Sequence, residues 1–125
     1  EVFSSGLELH LVPLDATNQV TWEKSDLRDW RKAYAPESDL AADLIQRTLD
    51  AWGVKRVYVW DLVAALVAAW PEACPETRTG VEVVTSSGPQ QGRTITVEHP
   101  DNIFVCLDPD PEKMKAAADA VFQQK

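Results

Sequence analysis

Alternating hydrophobic and polar positions mark the strands of this chain. Residues 7–13 alternate and end at a proline, which predicts a strand. Residues 80–86 and 92–98 alternate too, and the five residues between them predict an antiparallel hairpin. Residues 54–59 and 102–108 are rich in β-branched and aromatic side chains and predict two further strands.

Hydrophobic residues three and four positions apart predict three amphipathic helices. The first covers residues 25–35, with Trp30 on its buried side, and ends before a proline. The second is expected to have Ser38 as its N-cap and Gly53 just past its last residue. The third covers residues 112–123 and follows two aspartates that are typical of a helix start. We expect the aromatic residues of the first two helices to lie in the core.

One further helix has no polar residue at all between positions 62 and 70. A helix that is apolar on every face is expected to be buried on every side. Trp60 and Asp61 stand at its beginning, where unpaired N–H groups and the positive end of the helix dipole meet. Asp61 is therefore either the N-cap of this helix or a ligand for a metal ion or a substrate group.

The order of these elements is strand, helix, helix, strand, helix, hairpin, strand, helix, which is typical of an α/β protein. We predict part of an open, mixed and mainly parallel sheet, flanked by helices and extended by an antiparallel hairpin. With 125 residues, the chain has the length of one domain, so residues 1–125 are expected to form a single unit.

Composition narrows the classes of partner. Hydrophobic residues make up 45% of the chain and charged residues 26%, as in ordinary globular proteins. The formal net charge of -8 argues against binding to a nucleic-acid backbone. The apolar run is far shorter than a bilayer span of roughly 20 residues, so we expect a soluble protein with no membrane partner. Cys74 and Cys106 are too far apart for a zinc or redox motif and predict buried, reduced thiols in a cytoplasmic protein.

Common catalytic motifs are absent from the sequence: it has no Ser-His-Asp pattern, no Gly-rich phosphate loop and no H-E-x-x-H helix. His10 and His99 have no evident catalytic partner and are expected to be structural. Asp15 and Thr17 follow the first strand, and ligands bind at the carboxyl ends of strands in open α/β sheets. These two side chains either contribute to a site or only stabilise the turn.

Three segments resemble, in order and spacing, the carboxyl-terminal part of the inosine/uridine-preferring nucleoside hydrolase family. They are residues 11–17 (LVPLDAT), 58–65 (YVWDLVAA) and 91–97 (QGRTITV). The resemblance extends over nearly the whole chain but only about the last two-fifths of a complete family domain. It implies a calcium-dependent enzyme that hydrolyses the N-glycosidic bond of ribonucleosides.

The resemblance also implies roles for the pair at the helix start. Asp61 matches the late aspartate ligand of the family's calcium ion, and an oxygen ligand suits that hard cation. Trp60 stands where many members have a histidine, and it resembles the purine-specific branch, in which tryptophan stacks on the base. The family's early aspartate cluster, which supplies the other carboxylates and the catalytic base, has no match here. We therefore expect no catalytic residue in this chain.

These implications predict what the chain needs and binds. Its substrate would be a purine nucleoside, its cofactor calcium, and its partner the amino-terminal part of the same domain, without which it would be inactive. Exposed apolar surface would favour association, so we expect a homo-oligomer. The alternative is a non-catalytic domain of the same fold that binds a partner or a nucleobase.

Overall fold

The computed structural model describes residues 1–32, 35–98 and 102–122. The strands are β1 (Leu9–Leu11), β2 (Thr21–Glu23), β3 (Arg56–Tyr58), β4 (Glu76–Val83), β5 (Thr94–Val97) and β6 (Ile103–Cys106). The helices are α1 (Leu14–Thr17), α2 (Leu27–Arg31), α3 (Pro36–Trp52), α4 (Trp60–Ala69) and α5 (Pro111–Phe122). A short 3₁₀ turn, Pro71–Ala73, follows α4.

Four strands form a mixed sheet in the order β1-β6-β4-β5. β1 runs parallel to β6, whereas β4 is antiparallel to both β6 and β5. The predicted mixed sheet, its flanking helices and the antiparallel hairpin are confirmed. Among the described residues, the main sheet is mostly antiparallel and not mainly parallel as predicted. One pair is parallel and two are antiparallel, because the hairpin and its return through β6 reverse the chain direction.

A second, two-stranded sheet joins β2 and β3 in antiparallel register, with Trp22 opposite Val57. The sequence analysis predicted β3 but not β2. β2 has three residues, too few for alternation to be visible. This small sheet matters for the site, because β3 leads directly into α4.

The core lies between the helices and one face of the sheet. Its fully buried members include Trp30 of α2, Leu49 of α3, Val63 of α4 and Met114 of α5. The predicted burial of Trp30 is confirmed. Trp52 was expected in the core but is 66% exposed, since it is the last residue of α3 and extends beyond the packed part of that helix.

Ser38 is not the N-cap of α3, contrary to the prediction. The helix begins earlier, at Pro36, so that Ala35 is the N-cap. The Ser38 hydroxyl is buried and donates instead to the main-chain oxygen of Phe122, which joins α3 to the end of α5. The predicted end of the helix is confirmed, because Gly53 adopts the left-handed conformation at φ 63°.

The two cysteines are not reduced thiols as predicted, because Cys74 and Cys106 form a disulfide. The sequence separation of 32 residues concealed the pairing. The fold brings the residue after the 3₁₀ turn against the end of β6, and both side chains are fully buried. The support that reduced thiols gave to a cytoplasmic location is therefore lost.

Within the described residues, no helix has both the length and the apolar character that a membrane span requires. The apolar helix α4 has ten residues. It was expected to be buried on every side, but only Val63, Leu66 and Val67 are fully covered. Its alanines at 65, 68 and 69 are exposed, so one face of this helix has no cover from the described chain.

Candidate functional site

The two predicted site residues are the first two residues of α4. The helix begins at Trp60 because the main-chain oxygen of Val59 accepts from the N–H of Val63 at 3.1 Å. Val59 is thus the N-cap, and the N-cap interpretation of Asp61 is wrong. Asp61 lies in the first turn, where a carboxylate still interacts favourably with the helix dipole. Its side chain is exposed and accessible to a ligand.

Two other side chains contact the Trp60 ring. Its indole Nε1–H donates to Oδ1 of Asn18 at 2.8 Å. Its ring stacks nearly parallel on Tyr58, with centroids 6.0 Å apart and an interplanar angle of 8°. Both rings remain accessible, Trp60 at 44% and Tyr58 at 47% of their surface. A stacked pair of exposed aromatic residues therefore precedes the exposed Asp61 at the start of α4.

Sequence reasoning missed both neighbours. Tyr58 was expected in a strand and belongs to the segment 58–65 that resembles the family, but no contact with Trp60 was predicted. Asn18 follows Asp15 and Thr17 in the same segment, but its partner is 42 residues away. Only the three-dimensional structure brings these residues together.

The short helix α1 links the site to the main sheet. The side-chain amide of Gln19 donates to the main-chain oxygens of Asp15, at 2.7 Å, and Leu107, at 2.8 Å. Leu107 follows β6, and Asp15 follows β1, so these bonds join the carboxyl ends of the two parallel strands. Asn18, the residue before Gln19, connects the same segment to α4 through its hydrogen bond with Trp60.

Asp15 and Thr17 lie in this linking segment but in different surroundings. Asp15 is exposed and lines a groove of about 280 Å³ that also includes Pro13, Thr77 and Leu107; Trp60 and Asp61 are not among its walls. Thr17 is buried, and its hydroxyl has no hydrogen-bond partner among the described residues. Among the described residues, neither side chain has a hydrogen bond to Trp60 or Asp61.

His10 lies outside this site and pairs with acidic residues. Its Nδ1 is 2.8 Å from an oxygen of Glu76, and its Nε2 is 3.4 Å from Glu8. The hydrogen bond to Glu76 and the weaker one to Glu8 raise the pKa of His10 above 6.5. The ring also stacks on Phe104 of the neighbouring strand. These contacts agree with the predicted structural role; His99 lies outside the described residues.

Asp110, the second of the two aspartates before α5, has the predicted helix-start role. Oδ1 of Asp110 accepts from the main-chain N–H groups of Glu112, at 3.0 Å, and Lys113, at 3.1 Å. These bonds satisfy two of the unpaired donors at the beginning of the helix.

The donors near Asp61 fit a metal ion only in part. Calcium takes six to eight oxygen ligands, whereas one carboxylate supplies at most two. Among the residues that the structure describes, no group of three or more His, Cys, Asp or Glu side chains could hold a metal ion. The exposed Asp61 carboxylate suits one ligand position, and the remaining ligands of any metal ion there would have to come from elsewhere.

The comparison with protein families decides the family. The model of the family described as inosine-uridine preferring nucleoside hydrolase matches residues 1–116. The chain belongs to this family. Among curated proteins, the putative pyrimidine-specific ribonucleoside hydrolase RihB of Shigella boydii is 30% identical over 101 residues. That match covers 78% of this chain and 42% of the relative.

Solved structures have the same fold. A purine-preferring ribonucleoside hydrolase from Gardnerella vaginalis superposes with a TM-score of 0.75 at 19% identity, over 98% of this chain and 43% of that one. The inosine-uridine preferring nucleoside hydrolase from Bacillus anthracis gives a TM-score of 0.70 at 20% identity, over 98% and 38%. The chain thus spans about two-fifths of the length of these relatives.

Proposed function

We propose that this chain is the carboxyl-terminal part of a calcium-dependent ribonucleoside N-glycosidase that releases the base from purine nucleosides. The observation that carries the proposal is the exposed Trp60 and Asp61 pair on the first turn of α4. An accessible ring beside an accessible carboxylate suits a ligand that has a flat base and a polar sugar. Family membership supports the hydrolysis of ribonucleosides in general.

In this proposal Trp60 binds the base. A purine leaves more easily once its ring is protonated, and the face of an indole stabilises a cation by about 0.5 to 2 kcal/mol. Indole has no useful acidic proton, so Trp60 assists protonation by solvent and does not act as a general acid. RihB is named as pyrimidine-specific, so the proposed purine preference depends on Trp60 and not on that relative.

Asp61 is proposed as one calcium ligand. A bound calcium ion would hold the ribose hydroxyls and the attacking water. The carboxylate is in the first turn of a helix, whose backbone fixes its position. The other carboxylates and the base would come from the amino-terminal part of the domain, which is the proposed partner.

A homo-oligomer is proposed from the exposed alanines of α4. Because the two cysteines form a disulfide, the proposal does not include a cytoplasmic location.

Reconstitution tests the proposal. The chain is mixed with a separately expressed amino-terminal part of the family domain, and ribose release from inosine and uridine is measured with calcium and after chelation. We expect release from inosine that chelation abolishes. Asp61→Asn should lower it at least about 100-fold. Asp39→Asn is the matched control, because Asp39 is also an exposed acid in the first turn of a helix.

A second candidate function is a non-catalytic domain that binds a partner or a nucleobase. It is favoured by the lack of a three-ligand metal group among the described residues. Under this alternative, a folded and assembled complex releases no ribose, and Asp61→Asn behaves as Asp39→Asn does. That result would overturn the enzymatic proposal. Calorimetry with calcium and with purines then separates base binding from a purely structural role.

A further inference from the structure

We propose that Asn18 and Tyr58 are positioning residues that hold the Trp60 ring so that it recognises a base by its face alone. This inference rests on the proposed function, since it specifies how the proposed base-binding residue is oriented. Neither residue needs to touch the substrate. Both act through Trp60, Asn18 at the ring edge and Tyr58 at one ring face.

Asn18 engages the only hydrogen-bond donor that an indole has. The 2.8 Å distance between Nε1 and Oδ1 is that of a normal hydrogen bond. With the N–H occupied, Trp60 has no donor left for the base or the sugar. The same bond opposes rotation of the ring, because rotation would break it. Asn18 therefore both orients the ring and removes its polar contribution to recognition.

Tyr58 occupies one face of the indole. A centroid separation of 6.0 Å at an angle of 8° lies in the range of offset-stacked aromatic pairs. A ligand ring can then stack only on the face that is turned away from Tyr58. The tyrosine precedes α4 on strand β3, so its position is set by the pairing of Tyr58 with Thr21 in the small sheet.

This arrangement favours large bases over small ones. Recognition by stacking depends on overlap and polarisability, and a two-ring purine covers more of a fixed indole than a one-ring pyrimidine does. A fixed ring also loses less conformational entropy on binding than a mobile one. We therefore infer that the preference for purines depends on Asn18 and Tyr58 as well as on Trp60 itself.

The test combines NMR and binding, both on the intact chain in the absence of added metal. The indole N–H signal of Trp60 is assigned by its disappearance in Trp60→Phe, and Trp52→Phe removes an exposed control signal. Asn18→Leu should shift the Trp60 signal and speed its exchange with water, whereas Asn18→Asp keeps the acceptor and should restore the original behaviour. Inosine and uridine are then titrated against each variant.

We expect Asn18→Leu and Tyr58→Leu each to weaken inosine binding about fivefold, which corresponds to about 1 kcal/mol, with a smaller effect on uridine. In the Trp60→Phe background, Asn18→Leu should have no further effect, since its partner is gone. This non-additivity separates positioning from a general loss of structure.

Two results would overturn the inference for different reasons. If Asn18→Leu leaves both the Trp60 signal and inosine binding unchanged, the positioning role is wrong and the proposed function stands. If the signal shifts as expected but neither the wild-type chain nor its complex with the amino-terminal part binds either nucleoside, base recognition by Trp60 is wrong, and the inference about Asn18 and Tyr58 fails with it.

Discussion

Trp30 and Trp60 have the same kind of partners but opposite surroundings. Each indole N–H donates to a side-chain oxygen, of Asp119 at 2.6 Å for Trp30 and of Asn18 at 2.8 Å for Trp60. Each ring also has an aromatic neighbour: Phe122 at 4.4 Å for Trp30, and a tyrosine for Trp60. Yet Trp30 is fully buried, whereas Trp60 is 44% exposed.

The difference in exposure separates a tryptophan that contributes to stability from one that is available to a ligand. The contacts of Trp30 exclude water and connect α2 with α5, so they contribute to the free energy of unfolding. The contacts of Trp60 leave much of the ring in water, where it gains little from burial but stays available to a ligand. Composition and hydrogen bonding alone do not distinguish the core tryptophan from the one that we propose to bind a base; the exposed surface does.

The largest expected effect is that of removing each ring. Trp30→Ala should lower the free energy of unfolding by about 3 to 5 kcal/mol, because it leaves a cavity in the core. Trp60→Ala should cost less than about 1.5 kcal/mol but abolish measurable inosine binding. Urea denaturation and nucleoside titration of both variants check this pair of outcomes. Equal losses of stability would contradict the distinction.

The next effect concerns the disulfide, which belongs to the buried region with Trp30. Its cysteines are 32 residues apart, and closing a loop of that length stabilises a fold by about 3 to 4 kcal/mol in the chain-entropy model. Reduction of the disulfide should lower the denaturation midpoint of the wild-type chain. The double variant Cys74→Ala, Cys106→Ala should have the same lowered midpoint. The double variant should then show no response to reductant.

Replacing the hydrogen-bond acceptor of each indole should change the free energy of unfolding by different amounts. Asp119→Leu leaves the buried N–H of Trp30 unsatisfied and should cost about 1 to 3 kcal/mol of stability. Asn18→Leu should stay within about 0.5 kcal/mol, because water can replace Asn18 at an exposed indole. Asp119→Asn, which keeps an acceptor oxygen, is the control. Chemical denaturation of the three variants measures the contrast.

Much of the fold follows from local patterns in the sequence. Proline and glycine mark the limits of α3 and α4, and alternation identifies the β4 and β5 hairpin because these signals need only neighbouring residues. Ser38 shows the limit of such reasoning. Its hydroxyl can cap a helix, but the tertiary contact with Phe122 uses it instead. The Cys74–Cys106 pairing was missed for the same reason, since it depends on distant segments.

For the site, the sequence indicated the adjacent pair Trp60 and Asp61 but not what surrounds it. Adjacent residues on a helix start are visible in any sequence. The contact of Asn18 with Trp60 and the link from Gln19 to Leu107 each require the fold, because they join residues 42 and 88 positions apart. The roles of Trp60 and Asp61 themselves stay predictions until binding is measured.

The smallest expected effect concerns a pair in which one partner is exposed, as Trp60 is, and the other is largely covered. The His10 side chain is 53% exposed and that of Glu76 only 12%.

Because Glu76 and Glu8 raise the pKa of folded His10 above 6.5, the fold favours the protonated ring. The resulting stability is fully present below the unfolded pKa and is lost as pH rises through the raised folded pKa. The free energy of unfolding should therefore fall slightly as the pH rises above 6.5, by less than about 1 kcal/mol, which is typical of exposed ion pairs. His10→Gln should remove this slope while leaving the Trp60 indole signal unchanged. A slope that persists in His10→Gln would assign it to other groups.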